Sequence, residues 1–346
     1  MKEVYRDFAV SEAVRLLGID SPTGFTKTAA DAVAAAFSAV GCAVRRTEKG
    51  GVLASLDGRF EGEDGLFLQA HTDTLGAMVA EVKGNGRLRL TPLGGLRPEN
   101  TETENVRVYT CDGKVIEGTY QLCNASVHVN GTFADTKRTF DTMEVVLDED
   151  VKTADDAHAL NIRTGDIVCF DPRTRVTESG YIKSRFLDDK LSVGILLGFA
   201  KWAKDEGKTF RRPVYFHVTV YEEVGHGGSA SVPSGVTESV SVDMGCVGDG
   251  LACTEKQVSV CAKDSGGPYS YEVVGKLIRA AEATGADYAV DVYPHYGSDV
   301  EATLHAGLDI RHGLIGAGVY ASHGYERSHI DGVYNTLKVL EGYLAE

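Results

Sequence analysis

Residues 66–76 read LFLQAHTDTLG, a mostly apolar run that ends on His71 and Asp73. A continuous apolar run is expected of a strand covered on both faces. An imidazole and a carboxylate follow it directly, where such a strand leaves the sheet. Acidic pairs stand at similar places downstream. SRFLDDKLSVGILLGF (184–199) sets Asp188 and Asp189 ahead of a helical pattern, VYFHVTVYEEVGHGG (214–228) runs into Glu222 and Glu223, and SVSVDMG (239–245) carries Asp243. YASHGYERSH (320–329) adds His323 and His329.

Oxygen and imidazole donors at the ends of apolar strands suit a pair of hard or borderline divalent metals. The donors assigned on this pattern are His71, Asp188, Glu223, Asp243 and His323, with Glu222 free to move a proton, as in a dinuclear metallohydrolase. Charge supports the assignment, because carboxylates that close cannot all stay ionised without a counter-charge. Two divalent ions would balance three ligand carboxylates and a bound hydroxide. Asp73 is placed to hold the second nitrogen of His71, which fixes a ligating imidazole. One aspartate suffices to cap a helix, so the doubled acid at 188–189 exceeds what capping requires. The pattern does not choose between Asp188 and Asp189 as a bridging group, nor between His323 and His329 as a ligand. Neighbouring strand residues face opposite ways, so Glu222 and Glu223 share a site only if the chain turns, which the glycines of VGHGG permit. His226, His295, His305 and His312 have no decisive context, although His295 in YPHYGSD is placed to line a cleft.

The 346 residues fit one large domain or two. Composition is that of a globular protein, with 43% hydrophobic and 25% charged residues. Mean hydropathy is −0.13, and no apolar run reaches the length of a membrane span. A net charge of −15 opposes binding to nucleic acid. The seven cysteines form no CxxC pair and read as reduced core residues. A cytoplasmic protein is expected, with no nucleic-acid and no membrane partner.

Residues 1–77 and 173–346 alternate helical and strand patterns, as expected of an α/β domain whose sheet carries helices on both faces and gathers its site at the carboxyl ends of strands. Between them, residues 78–172 change texture. AMVAEVKGNGRLRLTPLGG and VRVYTCDGKVIEGTYQL are short alternating strands broken by GNG and CDGK turns, which predicts an inserted β-rich domain.

Taken in order, AHTDTLG, LDDKLSVG, EEVGHGG, VDMG and SHGYERSH resemble the strand ends and loops of the co-catalytic dinuclear metallo-aminopeptidases that assemble as tetrahedral particles. Glutamyl and deblocking aminopeptidases belong to that family. LNIRTGDIVCFDP resembles the strand that leads back from the family's insert. Three positions depart from the family pattern, namely Thr74, Lys190 and the HGYER loop. The resemblance implies a three-layer α/β/α phosphorylase-like catalytic domain with an inserted small β-barrel-like domain used in assembly. It implies that Asp188 bridges two ions, that His71 and Asp243 complete one and Glu223 and His323 the other. It further implies that Asp73 orients His71 and that Glu222 is the catalytic base. Two zinc or cobalt ions per chain, peptide substrates with a free N-terminus and a homo-oligomer, a dodecamer in the family's particle, follow from it as expectations. A related deacylase or carboxypeptidase, and a non-catalytic scaffold or carbohydrate-binding protein with a vestigial site, are the rival readings.

Overall fold

The computed structural model describes residues 1–345. Two helices open the chain, α1 (Glu3–Leu17) and α2 (Lys27–Ala39). α1 buries Tyr5, Ala9, Ala13 and Leu16, a stripe at three- and four-residue spacing that makes one face apolar. Strands β1 (Ala43–Arg46), β2 (Val52–Ser55) and β3 (Glu61–His71) follow. Every residue of β3 from Gly65 to His71 is buried.

Contacts divide the chain into two units, Thr74–Pro172 and the remainder from Met1–Asp73 and Arg173 onward. The sequence reading set the first boundary after residue 77. The contact division falls slightly earlier, directly after Asp73.

The inserted unit is a closed six-strand barrel. Its strands are β4 (Gly76–Val82), β5 (Leu88–Leu93), β6 (Asn105–Tyr109), β7 (Val115–Leu122), β8 (Met143–Leu147) and β9 (Ile167–Phe170). They close in the order β4-β5-β8-β7-β6-β9, with Ala77 of β4 facing Val168 of β9. The β4–β9 pairing makes the closure, and one face of each strand then lines the interior. β7 buries Ile116, Gly118, Tyr120 and Leu122 while their neighbours face outward. A short helix, α3 (Ala154–Ala159), begins at a capping box between Thr153 and Asp156.

Past the insert come β10 (Arg175–Val176), β11 (Tyr181–Ser184), α4 (Leu187–Asp205), β12 (Val214–Thr219), β13 (Ser234–Val242), β14 (Gly245–Val247) and β15 (Val258–Lys263). The chain ends with α5 (Tyr271–Thr284), β16 (Tyr288–Val292), α6 (Asp299–His305), β17 (Arg311–Tyr320), β18 (Glu326–His329) and α7 (Ile330–Tyr343). Among the described residues, β1–β3 together with β10–β18 build a 12-stranded mixed sheet. At its centre β12, β3, β13 and β17 run parallel, so their carboxyl ends lie on one side.

The two faces of this sheet differ in chemistry. Leu66, Leu68 and Ala70 of β3, Phe216 and Val218 of β12, and Val240 and Val242 of β13 join the main core with residues of α1, α2, α4, α5 and α7. Alternate residues on the other face are largely polar and equally buried. Gln69 donates to Ser239 Oγ at 2.9 Å and to Thr303 Oγ1 of α6 at 3.0 Å, and His217 Nδ1 lies 3.3 Å from Gln69 Oε1. Burial holds His217 neutral, with its pKa lowered to about 3. The seven-residue α6 covers this polar side.

Glycine fixes two close approaches. Gly194 and Gly198 of α4 let α1 lie against the helix backbone, since a Cβ at Gly194 would meet the Ala9 carbonyl oxygen at 2.5 Å. Gly316 of β17 stands where a Cβ would lie 1.5 Å from the carbonyl oxygen of Asp243. The sequence reading assigned no strand to RHGLIGAGVY (311–320). Its three glycines dilute the apolar pattern, yet they are what permits neighbouring backbones to approach.

All seven cysteines are free, but they are not uniformly core residues. Cys42, Cys169, Cys253 and Cys261 are buried, Cys123 and Cys246 only partly, and Cys111 is exposed at the turn after β6. Residues 111–115, which carry the turn from β6 into β7, are all exposed. Among the described residues no helix is long and apolar enough to cross a membrane.

Candidate active site

His71 ends β3, and its ring is held by its own turn. Nδ1 lies 2.9 Å from the Asp73 carbonyl oxygen. A carbonyl only accepts, so Nδ1 carries the hydrogen and Nε2 is left facing Asp188 Oδ1 at 3.1 Å. The Asp73 carboxylate is farther from that ring, 3.5 Å from Nδ1. It accepts instead from Thr23 Oγ1 at 2.7 Å and from the amides of Glu222 and Glu223 at 3.2 and 3.4 Å. The main chain of Asp73 thus orients His71, while its side chain fixes the turn carrying the paired glutamates.

That turn is a short 3-10 segment, Glu222–Val224, ended by Gly225 at a φ of 83°. It turns Glu222 toward His71 and Glu223 toward His323. Asp299 at the start of α6 accepts from Thr219 Oγ1 and the Gly228 amide, and Lys49 donates to the carbonyls of His226 and Gly227. The glycine loop after Glu223 is therefore held from two sides.

Asp188 and Asp189 stand at the head of α4 with dihedral angles outside the helical range, and the peptide bond between them is cis. Asp188 faces two imidazoles. Oδ1 is 3.1 Å from His71 Nε2, and Oδ2 is 3.4 Å from His323 Nε2. Glu222 Oε2 lies 3.7 Å from His71 Nε2, and Glu223 Oε2 lies 3.7 Å from His323 Nε2. Ligand atoms of His71, Asp188 and Glu223 fall within 4.8 Å of one another, as do those of His71, Asp189 and Asp243. Each trio could hold a metal ion.

His323 and His329 have different employment. His329 Nε2 donates to the Ser179 carbonyl at 2.8 Å and Nδ1 accepts from the Asp331 amide at 3.0 Å, capping α7. His323 sits in the left-handed region at a φ of 60° with its ring toward the carboxylates.

Electrostatics favour a cation here. Burial pushes Glu222, Glu223 and Asp189 well above the usual carboxylate range, and Asp243 up to about 7, with neighbouring carboxylates adding to each shift. Burial also raises Asp188, but its hydrogen bonds with His323 and His71 more than reverse this and hold it low. For His71, burial favours the neutral ring, and the Asp188 hydrogen bond with the nearby negative charges of Asp73 and Glu222 overcomes it to raise the pKa. A proton on Nε2 occupies the place a metal would take.

The fit to metal can be judged on bonding. Glu223 Oε1 and Asp189 Oδ1 are buried without a hydrogen-bond partner. Buried polar atoms ordinarily have one, and a cation supplies such an oxygen with its partner. Two imidazoles and several carboxylates are an appropriate donor set for zinc or cobalt.

Several participants escaped the sequence reading. Thr23 lies in the loop between α1 and α2, a segment with no motif of its own. Tyr296, rather than its neighbour His295, approaches the carboxylates: its hydroxyl donates to the Met244 carbonyl at 3.0 Å, and burial together with Asp243 and Asp188 raises its pKa. Glu326 is buried, and its carboxylate accepts the amides of Asp188 and His323. Its signal was the glutamate of HGYER, quoted only as part of a departing loop.

The model of M42 glutamyl aminopeptidases matches residues 50–339. The chain belongs to the M42 glutamyl aminopeptidase family. As an M42 member it is a peptide hydrolase of the aminopeptidase class. It is 41% identical over 329 residues to the Bacillus subtilis (strain 168) protein YhfE, named as an aminopeptidase by inference, with 95% of each chain covered. Its fold matches that of aminopeptidase APDkam598 from the archaeon Desulfurococcus kamchatkensis, with a TM-score of 0.86 at 21% identity over 99% of this chain and 96% of that one. It also matches the TET1 peptidase of Pyrococcus horikoshii, with a TM-score of 0.84 at 20% identity over 97% and 99% of the chains. That peptidase is described as assembling into a tetrahedron or a large octahedral shell.

Proposed function

We propose that this M42 chain removes N-terminal residues from peptides with two divalent ions, zinc or cobalt, held by His71, Asp188, Glu223, Asp243 and His323. One observation carries the proposal: the two oxygens of Asp188 face different histidines, His71 and His323, at 3.1 and 3.4 Å. A carboxylate so placed can serve two ions at once, and His71 with Asp243 and His323 with Glu223 would complete the sets.

When bound, the ions would polarise the scissile carbonyl and lower the pKa of the attacking water. The chain supplies the rest. Glu222 reaches into the same space from the turn pinned by Asp73. Its part is to take a proton from the water and return it to the departing amine. Asp73 keeps the carboxyls of Glu222 and Glu223 in place by accepting both amides. The substrate is a peptide with a free amino terminus, and the free cysteines fit a reducing cytoplasm.

Metal-stripped protein reloaded with zinc or cobalt is expected to bind about two ions per chain, because five ligands exceed one tetrahedral site. Elemental analysis and anomalous scattering measure this directly. A single ion after reloading at neutral pH overturns the two-ion assignment. A panel of aminoacyl amides should then be cleaved and N-acylated counterparts spared. The reverse preference would mark a deacylase.

Assembly through the barrel is the second part of the proposal. The P. horikoshii relative of the same fold is described as a shell-forming peptidase, and a closed barrel offers outer faces with no free strand edge. The expected result is a homo-oligomer, a dodecamer in the tetrahedral form, in sedimentation at micromolar concentration. A monomer there refutes the assembly without touching the catalytic assignment.

A further inference from the structure

Glu326 opens β18 directly opposite Ser184 of β11, and it is 2% exposed. Its two oxygens serve two different segments. Oε2 accepts the Asp188 amide at 3.1 Å, and Oε1 accepts the His323 amide at 3.0 Å. One carboxylate thus ties the head of α4 to the loop between β17 and β18. A buried carboxylate beside Asp188 is costly, so an amide or a hydroxyl would be cheaper there if the only need were to fill space.

The two histidines are supported unequally. His71 ends a buried strand and is itself 1% exposed, with its ring fixed by the Asp73 carbonyl. The His323 side chain is 39% exposed, on a loop whose backbone at that residue is left-handed. A non-glycine residue holds that conformation only where its surroundings impose it, and the Glu326 bond to its amide is one such restraint.

We infer that Glu326 is a positioning residue, which holds His323 and the Asp188 oxygen facing it within reach of one cation. The other Asp188 oxygen has its own partner in His71, so Glu326 sets the affinity for the ion on the His323 side. The inference rests on the two-ion reading proposed above. Glutamine cannot replace it, because an amide offers one acceptor oxygen and would turn an NH2 group toward the second N–H. Aspartate keeps the charge but is one methylene too short to reach both amides.

The test is a competition titration of metal-free protein with zinc against a chromophoric chelator. Wild-type protein should take two ions. In Glu326→Gln, one ion should weaken by about 10–100-fold, the range for lost outer partners of metal ligands, and the other should change by less than about threefold. Glu326→Asp, which retains the charge, should show the same one-sided loss and serves if the glutamine variant fails to fold. Excess zinc should restore kcat in either variant, whereas a merely structural defect would not respond to metal. Combined with His323→Ala, which already removes the ligand, Glu326→Gln should add no further weakening. Two ions bound as tightly as in wild type by either folded variant would overturn the inference. So would equal weakening of both ions. A wild-type protein that binds fewer than two ions would instead refute the reading beneath it.

Discussion

Glu222→Gln will keep both ions and lose roughly two to four orders of magnitude in turnover, the usual range for a removed acid or base. Glu223→Gln will instead release one ion. The neighbours have different surroundings although they share a turn. Glu223 has one oxygen near His323 and the other buried with no partner, so its loss is felt by whatever cation it binds. Glu222 lies nearest His71 Nε2, whose other carboxylate neighbour, Asp188, is closer at 3.1 Å. Isosteric amides are preferable to alanine, because alanine opens space for water near the reacting groups. Metal content by elemental analysis, read beside kcat, separates the two. If Glu222→Gln sheds an ion and Glu223→Gln keeps both, the roles are exchanged. Full activity in both variants would remove the pair from the chemistry altogether.

Asp188→Ala is expected to abolish tight binding of both ions, and activity with them. His71→Ala and His323→Ala should each weaken one. Heat denaturation gives a readout independent of turnover. A ligand at about 100 times its dissociation constant stabilises the native state by about 2.7 kcal/mol, so zinc should raise the melting temperature of the wild type and leave that of Asp188→Ala unmoved. An Asp188→Ala protein that still holds one ion tightly would break the shared-ligand assignment and direct attention to Asp189. That residue groups with His71 and Asp243 but already accepts the His71 amide at 3.2 Å.

Much of this was readable along the chain because the site gathers where apolar strands end. LFLQA and VYFHVT announce strands by hydrophobicity, and the charges that follow are conspicuous against them. The insert was equally legible, since GNG and CDGK turns leave few alternatives to hairpins. What sequence could not supply was pairing in space. DD and the two late histidines offer two candidates each, and only the fold shows that His329 is engaged in capping α7 while His323 faces Asp188. Alternation within β3 was also hidden, because Gln69 is the only polar residue in an apolar run. Its partners, Ser239 and Thr303, lie far away in sequence. The contribution of Thr23 has the same character, since a hydroxyl beside a proline carries no local sign of a distant carboxylate.

The glycines of α4 and β17 bear on how this chain tolerates change. A saturation scan scored on activity would find two classes of forbidden position. The first is the acidic and imidazole set, where chemistry selects the side chain. The second includes Gly194 and Gly198 of α4 and Gly316 and Gly318 of β17, where a single added carbon would lie within 3 Å of a neighbouring backbone oxygen. These four would resist alanine as strictly as a ligand resists replacement. They would do so at every pH and metal concentration, because their constraint is volume. Alanine at any of the four would therefore disturb the spacing of α1 against α4 or of β17 against its neighbours, and would be read as lost folding before it was read as lost chemistry.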